Sequence, residues 1–547
     1  MRALAGRINS TMTASEMNRR DALKIMGGLA MGAVLPDLAS AEIKEGKPNI
    51  ILIQCDQLRA DVCRREGFPL DTTPFLDSLA RDGTWFNKAY CASPSCVPSR
   101  NALWTGRWPT ATGIKSNANL KYFPSFKTGL DDVIKSQGYK MAGIGKMFHS
   151  YIRLRREEFD YFKMYDHLGE PEATDPEVKK FNAFLASTGF YASLKPAPFP
   201  AEMQQPYRMI SDAEKWIGSL DGKQPFFMYL SFNEPHNPYQ VSEPYYSMFP
   251  PEKLPPLKAG PETLHIKGEK YVQLQELMVK AYPDLDEHIP RLRSIYFGML
   301  RLIDDQIKRL VDFLKQKGVF ENTVLIFVAD HGDYVGEYGL MKKGAGVPEC
   351  LTRIPMIWHG PGITRRAMPH SAHVSNTDLF PTICELIGVE LPEGVQGRSL
   401  WPLLSGQSYP EKEFASMIVM QGMGGLDYTS TKELDPYTEG TLAHGRPRAF
   451  DELNSWTQSG VLRMLRKDDW KLIYDVQGRG EMYHLSSDPA ELKNLFGSPE
   501  HSQKQEELLE DMLTWELRTQ DPLPPPDGGP HKYKLKRNPH NYWTTQK

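Results

Sequence analysis

Short apolar runs separated by amphipathic stretches dominate this chain. Asn49 to Gln54 is apolar and β-branched and gives way to the polar pair Asp56-Gln57, the pattern of a fully buried strand. Lys140 to Ile144, Pro225 to Phe232 and Thr323 to Val328 read the same way. Ile289 to Gln316 instead repeats apolar residues at helical spacing, with Tyr296, Met299, Leu300, Ile303, Ile307 and Leu310 on one face. Thr73 to Ala80 predicts a shorter helix with Pro74 near its start, and Thr84 to Phe86 a short return strand. Helices alternating with buried strands predict a layered α/β core, in which polar residues just past strand ends form the site.

The pattern changes near residue 400. Pro402 to Lys412 is rich in Pro, Ser and Gly and marks a boundary. Beyond it, Val461-Leu462-Arg463-Met464, Trp470-Lys471-Leu472-Ile473-Tyr474 and Met482-Tyr483-His484-Leu485 read as strands, and Gln505 to Leu517 as a helix. The expected organisation is a large domain over 48–405, a small α+β subdomain over 410–520, and an irregular tail over 521–547 with the basic run Lys532-Tyr533-Lys534-Leu535-Lys536-Arg537. Variable loops are expected at Tyr151 to Pro206 and Gln421 to Ser455.

At the N-terminus, Asn18-Arg19-Arg20-Asp21-Ala22-Leu23-Lys24 precedes an apolar run from Ile25 to Leu35 and then Ala39-Ser40-Ala41. This resembles a twin-arginine export signal over residues 1–41, with Met17 as the start, and implies a periplasmic or secreted protein. No other stretch reaches the roughly 20 apolar residues that a membrane span needs.

With 547 residues, 40% of them hydrophobic, the chain can bury a sizeable core. Loss of residues 1–41 removes five basic and three acidic residues, leaving 60 and 65 and a net charge of −5. That balance argues against a nucleic-acid partner and requires a local basic patch for any polyanionic substrate. The six cysteines show neither zinc-ligand spacing nor a disulfide framework.

Asp330-His331-Gly332 follows the apolar run Leu325-Ile326-Phe327-Val328, so it should stand at a strand end as Asp56 and Gln57 do. Taken alone, such a triplet is equally a turn cap. Two such ends facing one cation would offer Asp56, Gln57 and Asp330, an oxygen-rich set suited to calcium or magnesium rather than zinc.

Cys96-Val97-Pro98-Ser99-Arg100, followed by Leu103-Trp104-Thr105-Gly106-Arg107, resembles the signature of the formylglycine-dependent sulfatases. A lone cysteine is more often a small buried hydrophobe, but that leaves the proline, arginine and Thr-Gly unexplained. The resemblance covers about residues 48 to 500, with Asp378-Leu379-Phe380-Pro381-Thr382, Gln396-Gly397-Arg398-Ser399-Leu400 and Tyr483-His484-Leu485-Ser486-Ser487-Asp488-Pro489 as structural landmarks. It implies an alkaline-phosphatase-like fold, a large mixed β-sheet sandwiched by helices with a smaller C-terminal α+β subdomain. It also implies that a maturase converts Cys96 to formylglycine, whose hydrate attacks sulfur with one oxygen and expels sulfate by collapse of the other.

The resemblance further assigns one divalent cation, calcium with magnesium or manganese as alternatives, to Asp56, Gln57, Asp330, His331 and the modified Cys96. The first pair is often two aspartates in the family, so Gln57 is a departure that removes one negative charge. Arg100 would fix the hydrate. Lys146 in Gly145-Lys146-Met147-Phe148-His149 would hold sulfate, and His149 would take a proton as the intermediate collapses. His236 in Asn233-Glu234-Pro235-His236 would bind sulfate or protonate the leaving oxygen. Lys343, thirteen residues after Asp330, matches the family's second lysine in preference to Lys342. The Gly-Lys-x-Phe-His spacing is similar to that of the iduronate-2-sulfatase branch and implies a sulfated uronate in a polysaccharide. A formylglycine-dependent phosphonate or phosphate ester hydrolase is the first alternative, because some such enzymes have Asp-Gln at the first metal pair. A non-catalytic protein that binds sulfated glycans is the second.

Overall fold

The computed structural model describes residues 46–117, 128–148, 150–344, 346–422, 461–520 and 537–544. The expected export signal, His149, the Lys532–Lys536 part of the basic run and most of the 421–455 loop lie outside the described residues. The strands are β1 (Asn49–Asp56), β2 (Thr84–Phe86), β3 (Ala89–Tyr90), β4 (Lys140–Gly145), β5 (Tyr161–Met164), β6 (Phe226–Pro235), β7 (Thr323–Ala329), β8 (Met356–His359), β9 (Val374–Ser375), β10 (Ser416–Gln421), β11 (Leu462–Lys467), β12 (Trp470–Asp475) and β13 (Gly480–His484).

Seven of them form one mixed sheet in the order β2-β8-β7-β1-β6-β4-β5. β7, β1, β6, β4 and β5 run parallel, whereas β8 is antiparallel to both β7 and β2. Every residue of β1, β6 and β7 is buried, which is why these strands read as unbroken apolar runs. The sheet is flanked by helices. Leu285–Gln316 packs on the Gln205–Ser219 helix and on β6. Trp104, from the Cys96–Thr105 helix, sets its ring edge-on to Phe227 and Tyr229 of β6.

A second, antiparallel sheet, β10-β11-β12-β13, carries the helix Ser502–Thr519. β10 was absent from the sequence-based expectation because it follows the Pro/Ser/Gly boundary with no turn signal of its own. The 151–206 stretch also departs from the expected loop. It contains edge strand β5, whose Tyr-Phe-Lys-Met residues are all half-buried, and the helix Pro176–Ser187, capped where Asp175 accepts a bond from Glu177 N. The described tail residues 537–544 hold no helix or strand but are bound to the body, with Asn541 Nδ2 donating to the carbonyls of Val395 and Gly397.

One cap reaches across the fold. The buried Asp304 of the long helix accepts bonds from Phe75 N and Leu76 N at 2.8 Å each, satisfying the first amides of the Pro74–Arg81 helix. Burial outweighs those donors and pushes its carboxyl up to about 7. The folded chain therefore keeps a proton that the unfolded chain releases near pH ~4. The stability tied to this proton is present in full below about pH 4 and is lost as the pH rises through about 7. Asp304→Asn should remove that slope, so that the difference in denaturant midpoint between variant and wild type changes steadily over this range; a constant difference would contradict it.

Candidate active site

Four adjacent parallel strands end at one rim of the sheet, and each delivers polar residues there. β7 leads to Asp330-His331, β1 ends in Asp56-Gln57, β6 runs into His236, and β4 is followed by Lys146. The ends are pinned by backbone bonds: Asp330 N donates to Cys55 O at 3.1 Å and Lys146 N to Ser231 O at 2.7 Å. Two glycines make these approaches possible. Gly145 has φ +110°, and a Cβ there would fall 2.0 Å from Ser231 O; a Cβ on Gly332 would fall 1.9 Å from Cys350 O.

Cys96 opens the Cys96–Thr105 helix, and Arg100 lies four residues on, hence on the same face. Pro98 sits in the first turn, where a missing N–H costs nothing. Arg100 is fully buried. Its Nε donates to Asp330 Oδ2 at 2.8 Å, and its Nη1 to Ser231 Oγ at 2.7 Å and Tyr229 OH at 3.1 Å. Asp330 Oδ1 accepts from Gln57 N at 3.0 Å and His331 N at 2.8 Å. Burial alone would raise the Asp330 carboxyl, but His331, Arg100 and Lys146 reverse this and hold it below the usual carboxylate range.

Asp56, Cys96, Asp330 and His331 are all buried, and each offers one ligand atom within 4.8 Å of the others. Cys96 Sγ lies 3.2 Å from His331 Nε2 and 3.6 Å from Asp56 Oδ1. His331 Nδ1 is 2.9 Å from Gly332 O, so its N–H points there and the Nε2 lone pair faces the cluster. Burial pushes the His331 pKa down to about 4, which keeps the ring neutral and able to ligate. Two carboxylates and an imidazole fit a hard divalent cation. The thiol is the soft exception, and an oxygen in its place would complete a hard donor set.

The Gln57 backbone is in the left-handed region at φ +66°, clamped by Asp330 on its N–H and by Tyr296 OH, which donates to its carbonyl at 2.8 Å. Its side chain is oriented by Asp333: Nε2 donates to Asp333 Oδ2, which leaves Oε1 to accept from Lys343 Nζ at 3.0 Å. Lys343 Nζ also donates to His236 Nε2 at 3.2 Å, and His236 Nδ1 lies 2.6 Å from Asn237 O. Lys146 Nζ contacts Asp56 Oδ2. Lys342, with φ +63°, is buried beside Lys343, with Nζ 5.2 Å from the Tyr282 ring centre. The structure thus brings together Asp56, Gln57, Cys96, Arg100, Lys146, His236, Asp330, His331 and Lys343. His149 cannot be located among the described residues.

One residue at this centre escaped the sequence reading. His167 follows edge strand β5 and stacks on His236, with ring centres 4.0 Å apart and planes 20° apart. Its only sequence signal was a position just past a strand that the half-buried Tyr-Phe-Lys-Met pattern concealed.

A sequence model of the sulfatase family matches residues 48–389. The chain is 25% identical over 491 residues to an arylsulfatase of Clostridium perfringens, covering 84% of this chain and 92% of that protein. It is equally 25% identical over 494 residues to a Delta 4,5-hexuronate-2-O-sulfatase of Bacteroides thetaiotaomicron, covering 87% and 90%. Among solved structures, the phosphonate monoester hydrolase of Agrobacterium radiobacter superposes with a TM-score of 0.67 at 20% identity, over 86% of this chain and 96% of that one, a likeness of fold.

The Gln57–Asp333 contact makes a direct prediction. Gln57→Glu would set a second buried carboxylate against Asp333 and should lower the stability of the metal-free protein at neutral pH by about 1–3 kcal/mol. The double variant with Asp333→Asn should recover it. A metal-free Gln57→Glu protein that melts like the wild type would contradict this.

Proposed function

Since this chain belongs to the formylglycine-dependent sulfatase family, we propose that it removes sulfate from a uronate-bearing saccharide, with Cys96 matured to formylglycine. The enzyme is a sulfuric ester hydrolase, and the substrate is the new part of the reading. The carrying observation is the cluster at Cys96: a fully buried thiol on the first turn of a helix, 3.2 Å from His331 Nε2, with Arg100 one turn behind it. The formylglycine hydrate supplies the attacking hydroxyl and a second hydroxyl through which sulfate is expelled. A divalent cation, which we assign as calcium held by Asp56, Gln57, Asp330 and His331, supplies positive charge against the ester oxygens when bound.

The chain's own residues do the rest. Arg100 holds Asp330 and directs its remaining positive charge at the oxygens grown on Cys96. Lys146 and Lys343 neutralise sulfuryl oxygens. Arg100, Lys146 and Lys343 gather three buried positive charges at the centre, which suits an anionic ester. His236 has its Nδ1–H on Asn237 O and turns Nε2 inward, where a proton can pass to or from the leaving oxygen. His149 is our candidate for the base that assists release. We keep a formylglycine-generating maturase as the partner that converts Cys96, a residue buried in the folded chain. We also keep the large and small domains at 48–405 and 410–520, and residues 1–41 as a twin-arginine signal. No described helix is long and apolar enough to cross a membrane.

A uronate substrate is supported by likeness to the hexuronate-2-O-sulfatase. The second reading, a phosphonate or phosphate ester hydrolase, is supported by Gln57 and by the fold neighbour that cleaves phosphonate monoesters. Assay of converted protein on 2-O-sulfated unsaturated uronate disaccharides, on p-nitrophenyl sulfate and on a phosphonate monoester separates the two. We expect the highest kcat/KM on the sulfated uronate, and loss of at least about 10³-fold in Cys96→Ala. Preference for the phosphonate would move the assignment to the second reading, and binding without turnover of any ester would favour a glycan-binding protein. Changing Arg19 and Arg20 together to Lys should leave the protein in the cytoplasm; unchanged export would refute the signal.

A further inference from the structure

The edge strand β5 is the fifth parallel strand of the sheet, and it too ends at the rim where the site lies. Beyond it the chain makes a tight turn closed by two backbone bonds, Asp166 N to Gly169 O at 2.7 Å and Gly169 N to Asp166 O at 3.1 Å. Gln205 Nε2 donates to Asp166 O at 2.9 Å, and Asn182 of the Pro176–Ser187 helix accepts from Glu170 N at 3.1 Å. Gly169 has φ +117°, and a Cβ there would lie 1.9 Å from Asn182 Oδ1, so the turn admits little besides glycine. This buttressing holds the backbone turn that carries His167.

The imidazole is 7% exposed. It stacks on His236 and meets the edges of Phe148 and Phe190 with ring centres 5.4 Å away in each case. One of its nitrogens lies within 4.8 Å of both a carboxylate oxygen of Asp56 and a ring nitrogen of His236. Lys146 Nζ stands 5.4 Å from the centre of the same Phe148 ring. His167 is therefore inside the centre that receives the ester.

We infer that His167 is a further imidazole of the reaction centre, donating an N–H hydrogen bond to the oxygens of the bound sulfuryl group. The inference rests on the sulfatase reading and adds a substrate-binding residue to it. His236 cannot supply this bond in its neutral form, because its N–H is turned to Asn237 O and its Nε2 accepts from Lys343. Burial, reinforced by Lys146 and Lys343, holds the His167 pKa well below that of a free imidazole, so the ring is neutral and carries one N–H. A neutral donor suits a site already dense in cations, since it binds an anion without adding charge.

Three variants separate a donor from a packing element. His167→Phe keeps the stack and removes the donor, His167→Gln keeps an N–H donor and removes the ring, and His167→Ala removes both. In cation-loaded, converted protein, Ala and Phe should lose about 10- to 100-fold in kcat/KM for the sulfate ester and bind inorganic sulfate more weakly by a similar factor in calorimetry, while Gln recovers most of both. A Phe variant equal to the wild type in kcat/KM and sulfate affinity would overturn the inference, as would a Gln variant no better than Phe. Failure of the sulfatase reading itself would appear elsewhere, as a wild type that releases no sulfate.

Discussion

The buried ion pair between Arg100 and Asp330 is the contact on which the rest of this site depends. Arg100 Nε meets one Asp330 oxygen at 2.8 Å, while the other oxygen accepts the amides of Gln57 and His331. A single carboxylate thereby joins the helix that carries Cys96 to the ends of β7 and β1. Removing one partner of such a pair strands a charge in the interior, at a cost of about 3–5 kcal/mol, so the arrangement is held as a unit. The sheet topology makes the pair possible. β1 is central, its neighbours β6 and β7 run parallel to it, and the chain leaves their carboxyl ends at one rim, the side on which open α/β sheets bind ligands.

That logic explains what could be read in the sequence. β1, β6 and β7 are buried on both faces, so they appear as continuous apolar runs, and the polar residues just past them stand out. Asp56, Asp330 and His236 were legible for this reason, whereas Cys96, Arg100 and Lys146 were legible only through the family signature that they carry; the structure adds that Cys96 and Arg100 share a helix face. Edge strands give no such signal: β5 is half-buried throughout, and nothing in the pattern marks His167 as standing past a strand end. The two lysines at 342 and 343 were ranked by family spacing alone. Consecutive residues of an extended chain point opposite ways, yet the left-handed backbone at Lys342 allows both to be buried at the site.

Gln57 illustrates how a departure from family pattern is absorbed. In place of a second carboxylate it presents an amide whose donor end is held by Asp333 and whose acceptor end faces Lys343. The negative charge missing from the first pair is thus found one layer back, in Asp333, whose carboxyl burial pushes up to about 6. On the proposed reading, Asp56, Asp330 and the Gln57 amide would face the cation, and Lys146, Lys343, His236 and His167 the sulfuryl group. Cys96 Sγ lies beside His331 and Asp56, and its oxidised form would bring oxygen to a position that the thiol fills with a softer atom.

Peptide mass spectrometry of Cys96 in protein produced with a formylglycine-generating enzyme, read beside the sulfate released per chain, tests this account most directly. The account predicts an aldehyde or its hydrate at Cys96, with turnover rising in proportion to the fraction converted. Full turnover by chains that retain the Cys96 thiol, or none by fully converted and cation-loaded chains, would contradict it.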